Sequence, residues 1–315
     1  MAPPKQTNRK KNEVMIALLG VTGAGKSTFA SIASGNQLEI GHGVDPCTQQ
    51  PSAVHFELDG RRVTLIDTPG FDDDKRSDLQ ILEAIFKWMT REGYLRHHLL
   101  DGLIFLHPIT LNRVGGSERK RTRLLQEILG PKAYRRIIIA TTMWGDLRSE
   151  EMAKSRLEGR ISAGGVWNAM YSQGALMMPH DNTKESAHKI IQKIVETSDK
   201  HGKVRSQLES ELVRDKGRVS GTSAGKELKL QILEELNFLK EHRDELQKEK
   251  PPRPSKEEQE RKSQKWKEWR RWREEMLDLD RRIDAKEQDL KKLDSMVVRI
   301  KKFFGSFFGS HSKYT

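Results

Sequence analysis

The sequence predicts an α/β domain with a mainly parallel sheet, one antiparallel edge strand and helices on both faces, followed by a C-terminal helical hairpin or coiled coil. Three observations carry this. Residues 12 to about 198 alternate short apolar runs with longer helical patterns. Two of those runs, Ala53 to Leu58 and Arg62 to Asp67, are separated only by Asp59, Gly60 and Arg61. That gap is too short for a crossover helix, so the pair forms a hairpin. Beyond residue 200 the texture changes to 29 Lys/Arg and 22 Asp/Glu in 115 residues, which suits exposed helices better than a packed core.

Taken in order, the strand candidates are Val14 to Gly20, the two hairpin runs, Gly102 to His107, Arg136 to Thr141 and Ala175 to Pro179. Helices are expected to start near Lys26, Ser77, Ser117, Ser149 and Thr183, then over Val204 to Arg214 and Thr222 to Lys250. The run Pro251, Pro252, Arg253, Pro254 stops the last of these, and Ser255 caps a long helix to about Ile300. In that helix Trp269, Trp272, Met276, Leu279, Ile283, Leu290, Leu293, Val297, Ile300 and Phe304 step by 3 and 4, interrupted at Lys286. Ile232, Leu236, Leu239 and Leu246 share the phase, with Arg243 at one seam position. An antiparallel hairpin turning at the prolines is favoured over intermolecular pairing by the short connection. The expected divisions are a disordered basic leader over 1–11, the α/β domain over 12–198, helices over 199–302 turning at 251–254, and a Phe-rich tail over 303–315.

Of the 315 residues, 35% are hydrophobic and 32% charged, against roughly 45–50% and 25% in ordinary domains. The net charge of +12 favours anionic partners, with nucleotide, acidic membrane and nucleic acid all open on this ground. The single cysteine, Cys47, excludes an internal disulfide framework and a cysteine-only zinc site. The longest apolar run, near Val14 to Val21, is far too short to span a membrane. The basic N-terminus lacks an apolar segment ahead of a cleavage site, so the chain reads as cytoplasmic, with a solvated leader favoured over a nuclear signal.

The chemistry is concentrated in Gly20, Val21, Thr22, Gly23, Ala24, Gly25, Lys26 and Ser27, a full match to G-x-x-x-x-G-K-[ST], with Thr28 following. It lies between an apolar strand and a helix start, where backbone amides close around phosphate oxygens. Lys26 then reaches the β/γ-phosphates and the Ser27 hydroxyl can ligate Mg²⁺. A second strand ends in Asp67, Thr68, Pro69, Gly70. There Asp67 can order the metal's water shell and the Gly70 amide can meet a γ-phosphate. Thr48, in the stretch from Gly35 to Gln50, can place its hydroxyl on the metal only when that phosphate is present. A solvent-facing turn threonine is the alternative.

These motifs and the strand order resemble P-loop GTPases of the translation-factor class, the G domains of septins, chloroplast outer-envelope import receptors and immunity-associated GTPases. The chain is also similar to fungal G-domain proteins carrying an H-x-I-x-x-N-R stretch, here His107 to Arg113, and T-T-M-W, here Thr141 to Trp144. The resemblance implies GTP and GDP as ligands, Mg²⁺ as cofactor, Lys26, Thr48 and Gly70 as the hydrolytic centre, and slow hydrolysis. It covers residues 12 to 198. Two departures stand out. Where the class carries N/T-K-x-D to read guanine, this chain has Thr141, Thr142, Met143, Trp144, Gly145 and Asp146. The lysine is missing and the aspartate displaced, so Thr142 and Asp146 are the base-site candidates and adenine stays open. A last base loop is expected near His180, Asp181 and Asn182. The residue after Gly70 is Phe71, not a water-orienting glutamine, so turnover at or below about 10⁻⁴ per second is expected unless His107, Arg113 or a partner substitutes. A packed, hydrogen-bonded role is the alternative for His107. Asp72, Asp73 and Asp74 read as a solvated loop.

Other signals are weaker. Ser220 to Lys226 imitates a second P-loop but lacks its first glycine and a preceding strand, leaving Gly225 as a close helix contact. Trp266, Trp269 and Trp272 alternate with basic residues, yet two lie on the seam, so core packing is favoured over base stacking or membrane contact. The tail from Lys301 to Phe308 suits either an anionic membrane surface or folding back on the helices. The expected partners are guanine nucleotide, a second copy through the G domain or coiled coil, and an anionic membrane at the periphery; nucleic acid is disfavoured. Three functions compete: a GTP-hydrolysing switch, a nucleotide-dependent assembly scaffold, and an ATP-specific P-loop protein.

Overall fold

The computed structural model describes residues 13–36, 52–67, 79–80, 82–83, 100–111, 115–147, 149–203 and 206–297. The helix expected from Ser77 and the Phe-rich tail lie largely or wholly outside them.

A six-stranded sheet runs in the order β2-β3-β1-β4-β5-β6. Its members are β1 (Glu13–Gly20), β2 (Ser52–Leu58), β3 (Arg61–Asp67), β4 (Gly102–Pro108), β5 (Ile137–Thr142) and β6 (Leu176–Pro179). Every neighbouring pair is parallel except β2 and β3. The hairpin turn is tighter than the sequence spacing suggests: only Asp59 and Gly60 lie outside the strands, both at positive φ (50° and 72°). That is the conformation Asp-Gly favours in a two-residue hairpin. Arg61 therefore already belongs to β3.

Burial on both faces explains the unbroken apolar runs of β1 and β4. Ile16, Leu18, Ile104 and Leu106 share one core with Phe29 and Ala30 of α1 (Lys26–Ser34) and with Ile190, Ile191 and Ile194. Those three isoleucines lie on α5 (Lys184–His201). The alternate residues of β4 turn the other way, where Phe105 and His107 both meet the ring of Trp167. On that side lie α2 (Gly116–Leu129), α3 (Glu150–Ile161) and the short α4 (Asn168–Ser172). Helix α6 (Gln207–Arg214) packs on α2 through buried Leu208 and Leu212. The first compact unit consequently extends to Gly217, past the expected boundary at 198.

The second unit, Arg218–Val297, is an antiparallel pair formed by α7 (Ser223–Lys248) and α9 (Gln264–Ser295). Its direction follows from Lys229–Asp294, Lys240–Glu287 and the Trp272 Nε1 bond to the Leu246 carbonyl, at 2.8, 2.7 and 2.8 Å. Leu236, Leu239, Leu279 and Ile283 form its core. Lys286 fits the seam because Glu235 of α7 meets its ammonium at 2.7 Å.

Two expectations are corrected here. Ser255 caps only α8 (Lys256–Glu260), through a capping box with Glu258. Lys262, at φ 46°, leaves the helical conformation, and Ser263 caps the long helix by accepting the Trp266 amide. The seam also stops early: α9 ends at Ser295, and Val297 is 60% exposed, in an isolated bridge to Arg218.

Candidate functional site

The parallel strands deliver their C-terminal ends to one edge of the sheet, where open α/β sheets bind ligands. Register places Leu18 beside Asp67, Gly20 beside Leu106, and His107 beside Thr141. At Gly20 (φ 149°) an added Cβ would run into the Leu106 carbonyl, so the loop leaves β1 against bare backbone. Gly25 has φ 91°, and a Cβ built there meets no heavy atom within 4 Å. The loop leads into the N-terminus of α1, whose first amides have no helical partner and suit an anion.

Lys26 is 7% exposed and spans this loop, its Nζ donating to the carbonyls of Gly20 and Val21 at 3.1 and 3.0 Å. Burial pushes its ammonium down to about 8, with Asp67 opposing. One residue on, the Ser27 hydroxyl donates to Asp67 Oδ2 at 2.6 Å. A carboxylate and a hydroxyl this close form the hard-oxygen half-shell that Mg²⁺ accepts, the remainder coming from water and phosphate. The residues present thus fit the metal. Thr22, Gly23 and Thr28 lie on the same loop and first helical turn.

Thr142 reaches across from β5. Its hydroxyl donates to the Ala24 carbonyl at 3.1 Å in a buried bond that fixes the P-loop backbone. Met143 follows in the left-handed conformation (φ 62°), and the Thr110 hydroxyl contacts its sulfur at 3.7 Å. The Trp144 indole turns back to the Thr141 carbonyl at 2.8 Å, and Asp146 is exposed at the end of a 3₁₀ turn, Trp144–Asp146.

The Thr141 carbonyl also accepts the His180 amide at 2.8 Å, which brings the loop after β6 alongside. His180 is buried edge-on to Phe29 of α1, its Nδ1 2.8 Å from Ser186 Oγ, and burial lowers its basicity against the pull of Asp181. Hydrogen bonds from Ser186 and Thr183 hold the Asp181 carboxyl at about 2. Asn182 takes φ 62°.

His107 is a packed histidine. It is 1% exposed, with Nε2 3.1 Å from Glu118 of α2 and its ring edge-on to Trp167 at 4.8 Å. Arg160 of α3 lies over the same indole at 5.3 Å and donates to the Leu111 carbonyl at 2.7 Å. Burial works against the Glu118 charge, but His107 and Arg160 outweigh it and hold the carboxyl below its usual range. The packed role of His107 was legible in the sequence, but its partners Glu118, Arg160 and Trp167 were not, because they lie scattered along the chain. Thr48, Thr68, Gly70, Phe71, Asp72 to Asp74 and Arg113 lie outside the described residues.

Residues 14–160 match the model of the AIG1 family. A stretch of 132 residues is 29% identical to GTP-binding protein A of Dictyostelium discoideum, and this covers 42% of the chain and 28% of that relative's length. Among solved structures, Toc33 from Arabidopsis thaliana in complex with GDP and Mg²⁺ gives a TM-score of 0.49 at 15% identity, covering 61% of this chain and 86% of that one. Era from Aquifex aeolicus bound to GDP and AlF₄⁻ gives 0.42 at 14%, covering 59% and 57%. Residues 14–160, just under half of the chain, are thus similar to the AIG1 family.

Proposed function

We propose that the domain binds GTP and GDP with Mg²⁺ as a two-state switch and hydrolyses GTP slowly. The observation that carries this is buried Lys26 spanning the P-loop beside the Ser27–Asp67 pair. In this reading Gly20 to Thr28 form the phosphate cradle, and Lys26 exchanges its carbonyl partners for phosphate oxygens. Ser27 and Asp67 hold the metal, which neutralises phosphate charge when bound. Thr48 and Gly70 sense the γ-phosphate. Thr142 fixes the cradle, Met143 offers an apolar surface to the base, and Asp146 reads its edge. Hydrolysis is slow because Phe71 stands where a water-orienting glutamine would serve.

The test is thermal unfolding of the purified chain in Mg²⁺ with GDP, GTP, ADP or ATP, followed by multiple-turnover phosphate release. A ligand at about 100 times its dissociation constant adds about 2.7 kcal/mol, a shift of several degrees. Shifts from guanine nucleotides alone, lost in Lys26→Ala, are expected; a Lys26→Ala protein as active as wild type would overturn the reading. Asp146, exposed and outside the usual register, favours a second reading in which adenine nucleotides bind equally well, and the same titration separates the two.

A nucleotide-dependent scaffold that pairs through the G domain or the helices, with little hydrolysis, differs in its readout: light scattering with GDP against a non-hydrolysable GTP analogue would show a change of mass. We place the protein in the cytoplasm, with its C-terminal tail either meeting an anionic membrane or folding back on the helices. No described helix is long and apolar enough to cross a membrane.

A further inference from the structure

At the opposite end of the sheet from the P-loop, where β5 begins, a cavity of about 630 Å³ opens between the 3₁₀ turn Pro131–Arg136, the end of α4 and the last turn of α5. Among the described residues its charged and polar lining is Lys132, Arg135, Arg136, His201, Ser172 and Gln173, with no carboxylate. The local fold dictates this. Ala133 and Tyr134 are buried and anchor the turn, and residues three apart eclipse in a 3₁₀ helix. Lys132 and Arg135 therefore share a face.

Arg136 has a different task. It donates through Nε to the Gly202 carbonyl at 2.6 Å, through Nη1 to the Lys132 carbonyl at 3.4 Å, and through Nη2 to the His201 carbonyl. It thereby satisfies the negative C-terminal end of α5, leaving Lys132 and Arg135 without that compensation. The Arg135 stem lies on bare backbone: a Cβ at Gly174 (φ 103°) would sit 2.8 Å from Arg135 Cγ. Ser172 spends its hydroxyl proton on the Asn168 carbonyl at 2.7 Å, so the donors left for a ligand among the described residues are the Lys132 ammonium, the Arg135 guanidinium, the Gln173 amide and the His201 ring.

We propose that this cavity is a second anion site, separate from the nucleotide site, that takes a phosphomonoester on a small polyol-sized body. A guanidinium fork beside an ammonium matches a terminal phosphate, and the volume falls within the usual range for small-molecule sites, well above what a lone phosphate needs. The phosphate belongs either to a soluble metabolite or to a phosphoinositide headgroup. The proposal does not rest on the nucleotide reading.

The experiment uses the full chain and two probes: inositol trisphosphate in solution, by calorimetry, and phosphatidylcholine vesicles containing phosphatidylinositol bisphosphate, by co-sedimentation. Vesicles carrying phosphatidylserine at equal charge serve as the reference. The expected result is binding that falls about tenfold or more in Lys132→Ala/Arg135→Ala and in the milder Arg135→Gln, with the thermal midpoint unchanged and Lys26→Ala binding as wild type. Tight binding in solution identifies a soluble source, and binding to phosphoinositide vesicles well above the reference identifies a lipid. Absence of binding, equal binding to both vesicle types, or a loss caused by Lys26→Ala in place of the pair would overturn the proposal.

Discussion

Lys26 makes the folded, nucleotide-free protein sensitive to pH in a calculable way. Its ammonium sits near 8 in the folded chain and at the ordinary 10.5 when unfolded. Between those values the unfolded chain holds a proton that the folded chain has released, so unfolding takes up a proton and rising pH opposes it. Stability should climb by up to about 1.4 kcal/mol per pH unit across this window, about 3 kcal/mol in all. Below pH 8 the full penalty of a buried charge is present; above 10.5 it is gone. Lys26→Met keeps an unbranched stem and has no proton to lose. Urea unfolding of both proteins without nucleotide, in steps from pH 7 to pH 11, isolates the effect because every other group titrates in both. The stability difference, wild type minus variant, should be flat below pH 8 and rise by about 3 kcal/mol to pH 10.5. A difference flat throughout would refute the reasoning, since Lys26 would then hold its proton as easily inside the loop as in water.

Substitutions at four further positions test the packing around the site and along the helices. Thr142→Val leaves the buried Ala24 carbonyl without its donor; it should lower stability by about 1–2 kcal/mol in urea unfolding and weaken nucleotide affinity severalfold, while Thr142→Ser keeps both. In Gly225→Ala the new Cβ meets the Val219 carbonyl at the start of α7; overpacking of about 1–3 kcal/mol should exceed the helix-propensity gain of about 1 kcal/mol, and a raised thermal midpoint would show that the loop yields. Ser263→Ala should cost about 1 kcal/mol by removing the cap of the 32-residue α9. Ser255→Ala, which touches only the five-residue α8, should cost less, and the reverse order in circular-dichroism melts would reinstate one long helix from Ser255.

The sequence by itself determined the sheet, the edge hairpin, the phosphate loop and the helical pair, because each rests on a local pattern. Glycine spacing defines the P-loop, the short gap between two apolar runs defines the hairpin, and the step of 3 and 4 defines the seam. Lys286, which looked like a flaw in that seam, needed Glu235 on the facing helix to account for it. Ser255, just past the prolines, is the cap the local pattern points to, yet the long helix starts eight residues later at Ser263; the left-handed backbone at Lys262 decided it. The site divides in the same way. Lys26, Ser27 and Asp67 were legible because their spacing is set by a strand and a turn. The hold of Thr142 on Ala24, 118 residues away, was decided by tertiary structure, as were the packing of His107 between Glu118 and Trp167 and the basic cavity below β5. Contacts of that range depend on which strand ends and helix turns the fold brings together, and periodicity along the chain carries no record of it.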